Sequence, residues 1–329
     1  MVEVGKNQTP SDSNNVRWES SANTMTAQPL NEPILGYSPG SPERNSIIQE
    51  IDRQMSETIE IPCIINGEEV FTGHTIPQVI PHNHGHILAN VHLAGRKEME
   101  SACSAAVNAQ RSWIEMGLEE RCKIFEKCAD LLAGDWRMRV NASTMLNQSK
   151  TVFQAEIDSA CELIDFWRFN CHYARGFHDD FQPLVSPEGV VNSTDIRPLE
   201  GFVLSITPFN FTSIAANLPS APAIVGCTSV WKPSRNSYYS NYYLMKLMME
   251  AGLPPGVINF LPGSGAEITE VALSNPNFAG LHFTGSTATF QGLWQEIGLA
   301  LPKLNSYPRI VGETGGKDFV VAHPDCDRR

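Results

Sequence analysis

Beyond residue 189, short apolar runs rich in β-branched residues alternate with longer segments of helical spacing. The apolar runs lie at 201–206, 228–231, 257–261 and 279–283. The helical segments that follow them lie at 212–224, 236–250, 266–274 and 287–300. Alternating strands and helices predict a parallel sheet with helical crossovers, and strands that are apolar throughout are typical of a sheet covered on both faces. The pattern predicts an α/β fold of the nucleotide-binding kind.

The second quarter of the chain has helical spacing instead. Apolar residues recur among charged ones at 96–116, 118–132, 137–148 and 151–175. Before this block, the segment 31–60 is rich in Pro, Gly and Ser, and 61–91 predicts short strands separated by Gly and Pro. Two more short runs, at 309–312 and 319–322, predict strands that begin a further domain.

These segments give four predicted parts. They are a disordered tail at 1–30, an N-terminal arm with short strands at 31–95, a cofactor domain at 96–310 and the start of a second domain at 311–329. Within the cofactor domain, a helical block occupies 96–176 and the strand–helix alternation occupies 201–300.

Charge and composition exclude two classes of partner. Thirty-six Asp and Glu residues against 24 Lys and Arg give a net charge of -12, the wrong sign for a phosphate backbone or an anionic membrane. The longest apolar runs fall short of the about 20 residues that cross a bilayer. The eight cysteines form no C-x-x-C pair, which fits a reducing compartment. We expect no nucleic acid and no membrane as partners.

Two predicted strands end in residues suited to a nucleotide. Phe-Thr-Gly-Ser at 283–286 closes a strand and opens a helix, whose N-terminus offers N–H groups and a positive dipole end to a pyrophosphate. An ordinary turn capped by Ser286 is the alternative. Lys232, in Trp-Lys-Pro-Ser at 231–234, lies at the carboxyl edge where α/β sheets bind ligands and can reach ribose hydroxyls. A solvated lysine is the alternative there.

Two other motifs carry groups for stabilising charge and moving protons. Asn210, in Thr-Pro-Phe-Asn-Phe at 207–211, can donate to a developing oxyanion, or it caps the helix that starts near Thr212. Glu313 lies among glycines at 311–317 and is a candidate general base if burial raises its pKa. The alternative is an exposed glutamate in a glycine-rich hairpin turn.

Neither the histidines nor the acids indicate a metal. His82, His84 and His86 alternate, but the residues between them and the lack of a nearby carboxylate pair favour a structural turn. Asp158, Glu162 and Asp165 share a helix face at i, i+4 and i+7, and such a stripe is usually solvated. We expect no metal site.

Taken together, the motifs are more specific than any one of them. Thr-Pro-Phe-Asn at 207–210, Trp-Lys-Pro-Ser at 231–234, Phe-Thr-Gly-Ser at 283–286 and Gly-Glu-Thr-Gly-Gly-Lys at 312–317 occur in the order found in aldehyde dehydrogenases. From about residue 31 onward the chain most resembles the pyrroline-5-carboxylate dehydrogenase branch, also called L-glutamate γ-semialdehyde dehydrogenase. Asn-His-Gly-His at 83–86 and Gln-Ala-Glu-Ile-Asp at 154–158 belong to that likeness.

The resemblance implies a Rossmann-type cofactor domain and a thiolate mechanism. In the family a Cys thiolate attacks the aldehyde, hydride passes to NAD, and a Glu activates the water that hydrolyses the thioester. By resemblance, Asn210 is the oxyanion donor and Glu313 the general base, Phe211 flanks the aldehyde chain and Glu162 lies at the catalytic funnel. The implied cofactor-binding residues are Thr207 on the nicotinamide side, Lys232 and Ser234 at the adenosine ribose, and Gly285, Ser286, Thr287, Ala288 and Thr289 at the pyrophosphate.

Two departures from the family pattern change what is expected. Many members have an acid after Lys-Pro-Ser, where this chain has Arg235, so NADP stays open beside NAD. The family's nucleophile follows the glycine-rich Glu motif, and the only cysteine after Glu313 is Cys326, between Asp325 and Asp327, whose charges disfavour a thiolate. We therefore expect a carboxyl-terminally truncated form that is inactive alone, with a non-catalytic nucleotide-binding or modulatory product as the alternative.

Location and assembly follow from the resemblance alone. The family implies the mitochondrial matrix, whereas the acids in the first 28 residues are unlike a transit peptide and leave the cytoplasm as the alternative. The family implies a small aldehyde substrate and a homo-oligomer for the full-length enzyme, an assembly that we do not expect of this chain.

Overall fold

The computed structural model describes residues 28–183 and 185–327. Residues 1–27, nearly all of the expected tail, lie outside the described part of the chain. Within it, the chain forms a seven-stranded sheet, a three-stranded sheet and a layer of helices. No helix in the described ranges has both the length and the apolar character to cross a bilayer.

The N-terminal arm opens with α1 (Pro42–Met55), whose start follows from its sequence. The Ser41 hydroxyl accepts a hydrogen bond from the Arg44 N–H at 3.3 Å, and Pro42 stands where the first turn needs no donor. Five strands follow: β1 (Ile59–Ile61), β2 (Cys63–Ile65), β3 (Glu68–Val70), β4 (Thr75–Ile80) and β5 (Asn83–His92).

The histidine segment of the arm differs from expectation. β1, β5 and β4 form the three-stranded sheet, and the pairing of β4 with β5 runs to Ile80 opposite Asn83. The turn is therefore limited to Pro81 and His82, and the prediction that His84 and His86 lie in a turn is wrong.

The helical block agrees closely with its pattern in α2 (Arg96–Glu115), α3 (Leu118–Ala133) and α4 (Arg137–Gln148). α3 buries Cys122, Phe125, Ala129 and Leu132, the three- and four-residue spacing of an amphipathic helix. The single helix predicted at 151–175 is instead α5 (Val152–Ala155), a π-helical turn (Glu156–Cys161) and α6 (Glu162–Asp180). Single π-turns inside helices occur mostly where a side chain has a specific role.

Glu156, at the start of the π-helical turn, is fully buried, and its carboxylate has an ion pair and several hydrogen bonds. Its carboxylate pairs with Arg137 at 2.5 Å and accepts hydrogen bonds from the Leu35 N–H, the Tyr37 hydroxyl and the Asn141 amide at 2.7–2.8 Å. Burial alone raises the pKa of Glu156, but Arg137 and these donors outweigh it and lower the pKa. This network fastens the arm to α4 and the π-helical turn.

The four predicted parallel strands are present and adjacent, which confirms the α/β fold, and the strand predicted at 309–312 to begin a further domain joins the same sheet as a fifth strand. The five strands are β6 (Phe202–Ile206), β7 (Thr228–Lys232), β8 (Ile258–Phe260), β9 (Phe278–Gly285) and β10 (Arg309–Thr314). Across the sheet they lie in the order β10-β9-β6-β7-β8. The first strand thus lies between the second and the fourth, as in doubly wound folds, and the winding reverses between β6 and β9.

The connecting helices also follow the pattern. α7 (Thr212–Ile224) and α10 (Thr287–Ala300) have the predicted bounds, and α9 (Gly265–Ser274) begins one residue earlier. A 3-10 turn at Arg235–Ser237 precedes α8 (Tyr238–Ala251). The Cβ-less Gly252 ends α8 with a φ of 103°, a left-handed conformation that other residues seldom adopt.

The sheet extends beyond these strands on one side and ends at β10 on the other. β2 of the arm pairs antiparallel with β8 through Ile64 and Phe260, so the complete sheet is mixed. β10 pairs with β9 and continues the same sheet, so the expected domain boundary at 310/311 falls inside a strand. The strand predicted at 319–322 is wrong: Phe319, Val320 and Val321 are exposed and pair with no described strand.

Gly312 in β10 is required by the packing of α10. Phe290 of α10 stacks on Phe283 of β9, with ring centroids 5.5 Å apart and planes 17° apart. A Cβ atom on Gly312 would overlap the Phe290 ring. Phe290 is also held by Trp294, 5.6 Å away edge to face, so the ring has little freedom to withdraw.

Replacing Glu156 is expected to be strongly destabilising. Glu156→Ala leaves Arg137 and several buried donors without their acceptor, which costs about 3–5 kcal/mol in the free energy of unfolding. Because the folded pKa is lowered, the contribution of the carboxylate is present above its unfolded pKa and is lost as the pH falls through the folded value. Urea unfolding at neutral and acidic pH measures both effects.

Glu120→Ala is the matched control for that substitution. Glu120 makes an exposed pair with Lys123 at 2.6 Å, and such pairs contribute less than about 1 kcal/mol. If Glu156→Ala costs no more than Glu120→Ala, the buried network does not hold the arm in place.

Gly312→Ala is expected to destabilise the fold by about 1–3 kcal/mol, the usual cost of forcing an extra methyl into a packed site. Gly315→Ala, at the next glycine of the same motif, is the control because a Cβ atom there meets nothing within 4 Å. Equal thermal midpoints for the two variants would contradict the close packing of Phe290 on β10.

Candidate functional site

The predicted site residues lie at the carboxyl ends of adjacent parallel strands. In the register of the sheet, Ile206 is opposite both Lys232 and Phe283, and Glu313 is opposite Thr284. Motifs far apart in sequence thus meet at one edge, at the reversal between β6 and β9 where such sheets bind ligands.

Thr207 directly follows β6 and is buried. Its hydroxyl accepts a hydrogen bond from the Trp231 indole N–H at 3.0 Å, and its backbone N–H donates to the Lys232 carbonyl at 3.2 Å. These bonds hold the ends of β6 and β7 together. The residues that follow Thr207, at 208–211, form the rim of this sheet edge.

Asn210 lies on that rim with a free amide. The side chain is exposed and makes no hydrogen bond with the described residues. The alternative in which it caps α7 is wrong, because Phe211 is the N-cap residue and makes no side-chain cap bond. Asn210 therefore keeps its donors available at the edge of the sheet.

Lys232 is half-buried at the end of β7, not a solvated lysine. Its ammonium has no hydrogen bond or ion pair with the described residues, and burial lowers its pKa. The neighbouring Gly265, at the first position of α9, leaves open space of about a methyl group beside the Lys232 side chain. A desolvated cation without a partner fits a ligand that brings hydroxyl or phosphate oxygens. Ser234 is also half-buried nearby, whereas Arg235 is exposed.

Ser286 caps the N-terminus of α10, as expected if 283–286 is an ordinary turn between a strand and a helix. The Ser286 hydroxyl accepts from the Thr289 N–H at 3.2 Å and contacts the Thr289 hydroxyl at 2.7 Å. Thr287 and Ala288 are exposed in the first turn, beside Gly285. Capping and anion binding use different N–H groups, so the pyrophosphate role of 285–289 stays a prediction.

An acidic cluster forms where α6 meets α7. The Ser213 hydroxyl donates to Glu162 at 2.5 Å. Burial raises the pKa of Glu162, and the nearby carboxylates of Asp158 and Glu313 raise it further, against Ser213 and Lys150. Glu162 is thus half-buried and not part of a solvated stripe, and the effect of the Glu313 charge on its pKa shows that the two predicted residues lie near each other.

Lys150 joins this cluster to Phe211. Its ammonium pairs with Asp158 at 2.5 Å and lies 4.3 Å from the centroid of the Phe211 ring. Nothing in the sequence marks Lys150 or Ser213 as site residues, because a lysine before a helix and a serine inside one are ordinary there. Only the packing of α6 against α7 brings them together.

Glu313 differs from expectation in its surroundings. It lies in β10, not in a hairpin turn, and its carboxylate is exposed; the Thr284 hydroxyl donates to it at 3.5 Å, the outer limit of a hydrogen bond. The burial expected of a general base is therefore absent among the described residues around it.

Seven of the eight cysteines are buried and Cys326 is exposed. Within the described residues, no group of three or more His, Cys, Asp or Glu side chains could hold a metal ion.

Comparison with known proteins identifies the family. The model of the aldehyde dehydrogenase family matches residues 70–329. The chain is 48% identical over 300 residues to a delta-1-pyrroline-5-carboxylate dehydrogenase of Agaricus bisporus, covering 91% of this chain and 55% of the relative. It is 40% identical over 312 residues to the mitochondrial enzyme of that name from Homo sapiens, covering 95% of this chain and 54% of the relative.

A solved structure gives the same result for the fold. The delta-pyrroline-5-carboxylate dehydrogenase from Mycobacterium tuberculosis, bound with NAD, superimposes with a TM-score of 0.88 at 49% identity, over 91% of this chain and 56% of that one. The chain spans about half the length of the curated relatives that it matches. On its family match, its sequence identity and its fold, the chain belongs to the aldehyde dehydrogenase family.

Proposed function

We propose that this chain supplies the NAD-binding domain and part of the aldehyde site of an enzyme that oxidises L-glutamate γ-semialdehyde to L-glutamate. The observation that carries the proposal is the meeting of Thr207, Lys232, Gly285 and Glu313 at the carboxyl edge of one parallel sheet. The substrate is proposed from the relatives, which are named for pyrroline-5-carboxylate, the cyclic form of that aldehyde. The mitochondrial names of several relatives make the matrix the proposed location.

NAD fits the groups available at this edge. Lys232 would donate to ribose hydroxyls and so recover the hydrogen bonds that its burial removes. Ser234 would contact the same ribose, and the first turn of α10 with Gly285 would face the pyrophosphate. The dinucleotide, when bound, supplies the hydride acceptor that the oxidation requires.

The residues beside this edge would bind the aldehyde. The free amide of Asn210 would donate to negative charge developing on the aldehyde oxygen. Glu313 would accept a proton from the attacking water, and Phe211 would cover one side of the aldehyde chain. Glu162, whose pKa burial raises, would line the approach to the carbonyl carbon.

A second candidate is nucleotide binding without catalysis. It is favoured by the placement of the thiols: seven cysteines are buried, and Cys326 lies between Asp325 and Asp327. Neighbouring carboxylates disfavour the thiolate that attacks an aldehyde. A stable, monodisperse polypeptide of these 329 residues that binds NAD favours this candidate.

We expect the 329-residue chain to bind NAD through Lys232. Lys232→Ala removes a hydrogen bond from a charged donor, which is worth about 1.5–3 kcal/mol, so the dissociation constant should rise about ten- to a hundredfold. Titration calorimetry with NAD, and with NADP in parallel because of Arg235, measures it. The matched control is Lys123→Ala, an exposed lysine of α3. An unchanged affinity in Lys232→Ala would remove Lys232 from the cofactor site.

The same polypeptide is expected to form no NADH from glutamate semialdehyde. Seven of its thiols are buried, and the exposed Cys326 lies between two aspartates that disfavour a thiolate. Absorbance assays with one of the named relatives as positive control test this, and Cys326→Ser should leave the zero rate unchanged. If the chain forms NADH and Cys326→Ser abolishes that activity, Cys326 is a nucleophile and the expectation of an inactive chain is wrong.

A further inference from the structure

A second cleft, of about 450 Å³, lies among α1, α4, α8 and β1. Trp136, Tyr242 and Tyr243 give it aromatic walls, and Arg53, Arg139 and Lys246 bring positive charge. None of these residues belongs to the site described above. The volume is within the range of small-molecule pockets, which combine apolar walls with a few polar groups that fix orientation.

The cations of this cleft are not equally available. Arg53 is paired with Glu50 and Glu57 at 2.7 and 2.6 Å, and Lys246 is paired with Glu69 at 3.1 Å. The N–H groups of these two cations are therefore engaged within the protein.

Among the cations that line this cleft, Arg139 is the one without a partner in the described part of the chain. Its guanidinium has no hydrogen bond or ion pair with the described residues; Glu50 is near enough for the charge of Arg139 to help lower its pKa, but the two do not form an ion pair. The guanidinium carbon lies 5.1 Å from the centroid of the Trp136 ring. Such a cation–π contact holds the guanidinium in place while its N–H groups remain free.

Two aromatic rings in the walls of the cleft are partly exposed to it. Tyr242 and Tyr243 are half-buried on α8, so part of each ring faces the cleft. Trp136 is 6% exposed, and its indole N–H is buried with no hydrogen-bond partner in the described part of the chain. Because that N–H is buried, Trp136 contributes the face of its ring to the cleft and not a hydrogen bond.

From these observations we propose that the cleft binds a planar aromatic carboxylate. The carboxylate pairs with the fork of Arg139, which matches two oxygens at once, and the ring lies against Tyr242 and Tyr243. Arg139 offers one unused fork of N–H groups, which suits a ligand with one carboxylate, and the volume accepts one or two fused rings. The proposal does not depend on the reaction carried out at the carboxyl edge of the sheet.

The test is titration calorimetry of the 329-residue chain with 2-naphthoate. We expect 2-naphthoate to bind and its neutral analogue 2-naphthamide to bind at least tenfold more weakly, because the amide carries no charge for Arg139. Arg139→Ala should weaken 2-naphthoate at least tenfold, and Arg139→Lys, which keeps the charge but not the fork, should weaken it less. Arg111→Ala, an exposed arginine of α2 paired with Glu115, is the matched control and should bind as the parent does.

The results separate the proposal from a general attraction for aromatic anions. No binding of 2-naphthoate at millimolar concentration overturns it, and so does equal binding to the parent and to Arg139→Lys and Arg139→Ala. Equal thermal midpoints of the variants and the parent establish that a lost affinity is not lost folding. Because NAD titrations use a different edge of the molecule, failure here leaves the proposed function untouched.

Discussion

The central position of β6 is the constraint on which the rest of the molecule depends. β6 is buried along its whole length and bonded in parallel to β7 on one side and β9 on the other. Parallel strands need a crossover between them, so each neighbour returns across the sheet by a helix and ends at the same edge as β6. The carboxyl ends of the strands therefore collect residues that are far apart in the chain. That arrangement is what places Asn210, Lys232 and Glu313 at the same edge of the sheet.

A second constraint acts where the helical layer meets the arm. The buried carboxylate of Glu156 accepts hydrogen bonds from Arg137, Tyr37 and Asn141, and the helix forms a π-helical turn at this point. A π-turn inserts a residue relative to regular α-helix, so later side chains point to different faces than their spacing suggests.

The three acids that follow illustrate the effect of this turn. Asp158 pairs with Lys150, Glu162 accepts from Ser213, and Asp165 accepts from the Asn31 amide. The acids face three different neighbours instead of one solvated side. The buried carboxylate thus contributes to the site indirectly, because it determines where α6 begins and hence where Glu162 stands.

Charge is distributed unevenly over the molecule, although the net charge is -12. At the carboxyl edge of the sheet, Lys232 is desolvated and without a partner, while Glu162, Asp158 and Glu313 gather near Phe211. In the cleft between α1 and α8, Arg139 is the lining cation without an ion pair among the described residues. Each place combines an unpaired cation with space beside it, an arrangement suited to recognising a small charged molecule.

The sequence by itself determined the strands and helices of the alternation, the bounds of α4, α7 and α10, and the family, because apolar spacing and short motifs are local properties of the chain. Tertiary structure alone decided the rest. The approach of Lys150 to Phe211, the burial of Glu162, the π-helical turn at Glu156 and the antiparallel addition of β2 and β3 all depend on contacts between residues far apart in sequence. The incorrect prediction of a strand at 319–322 has the same cause. A β-branched apolar run forms a strand only where a neighbouring strand supplies hydrogen-bonding partners, and the sequence of the run does not show whether such a neighbour is present.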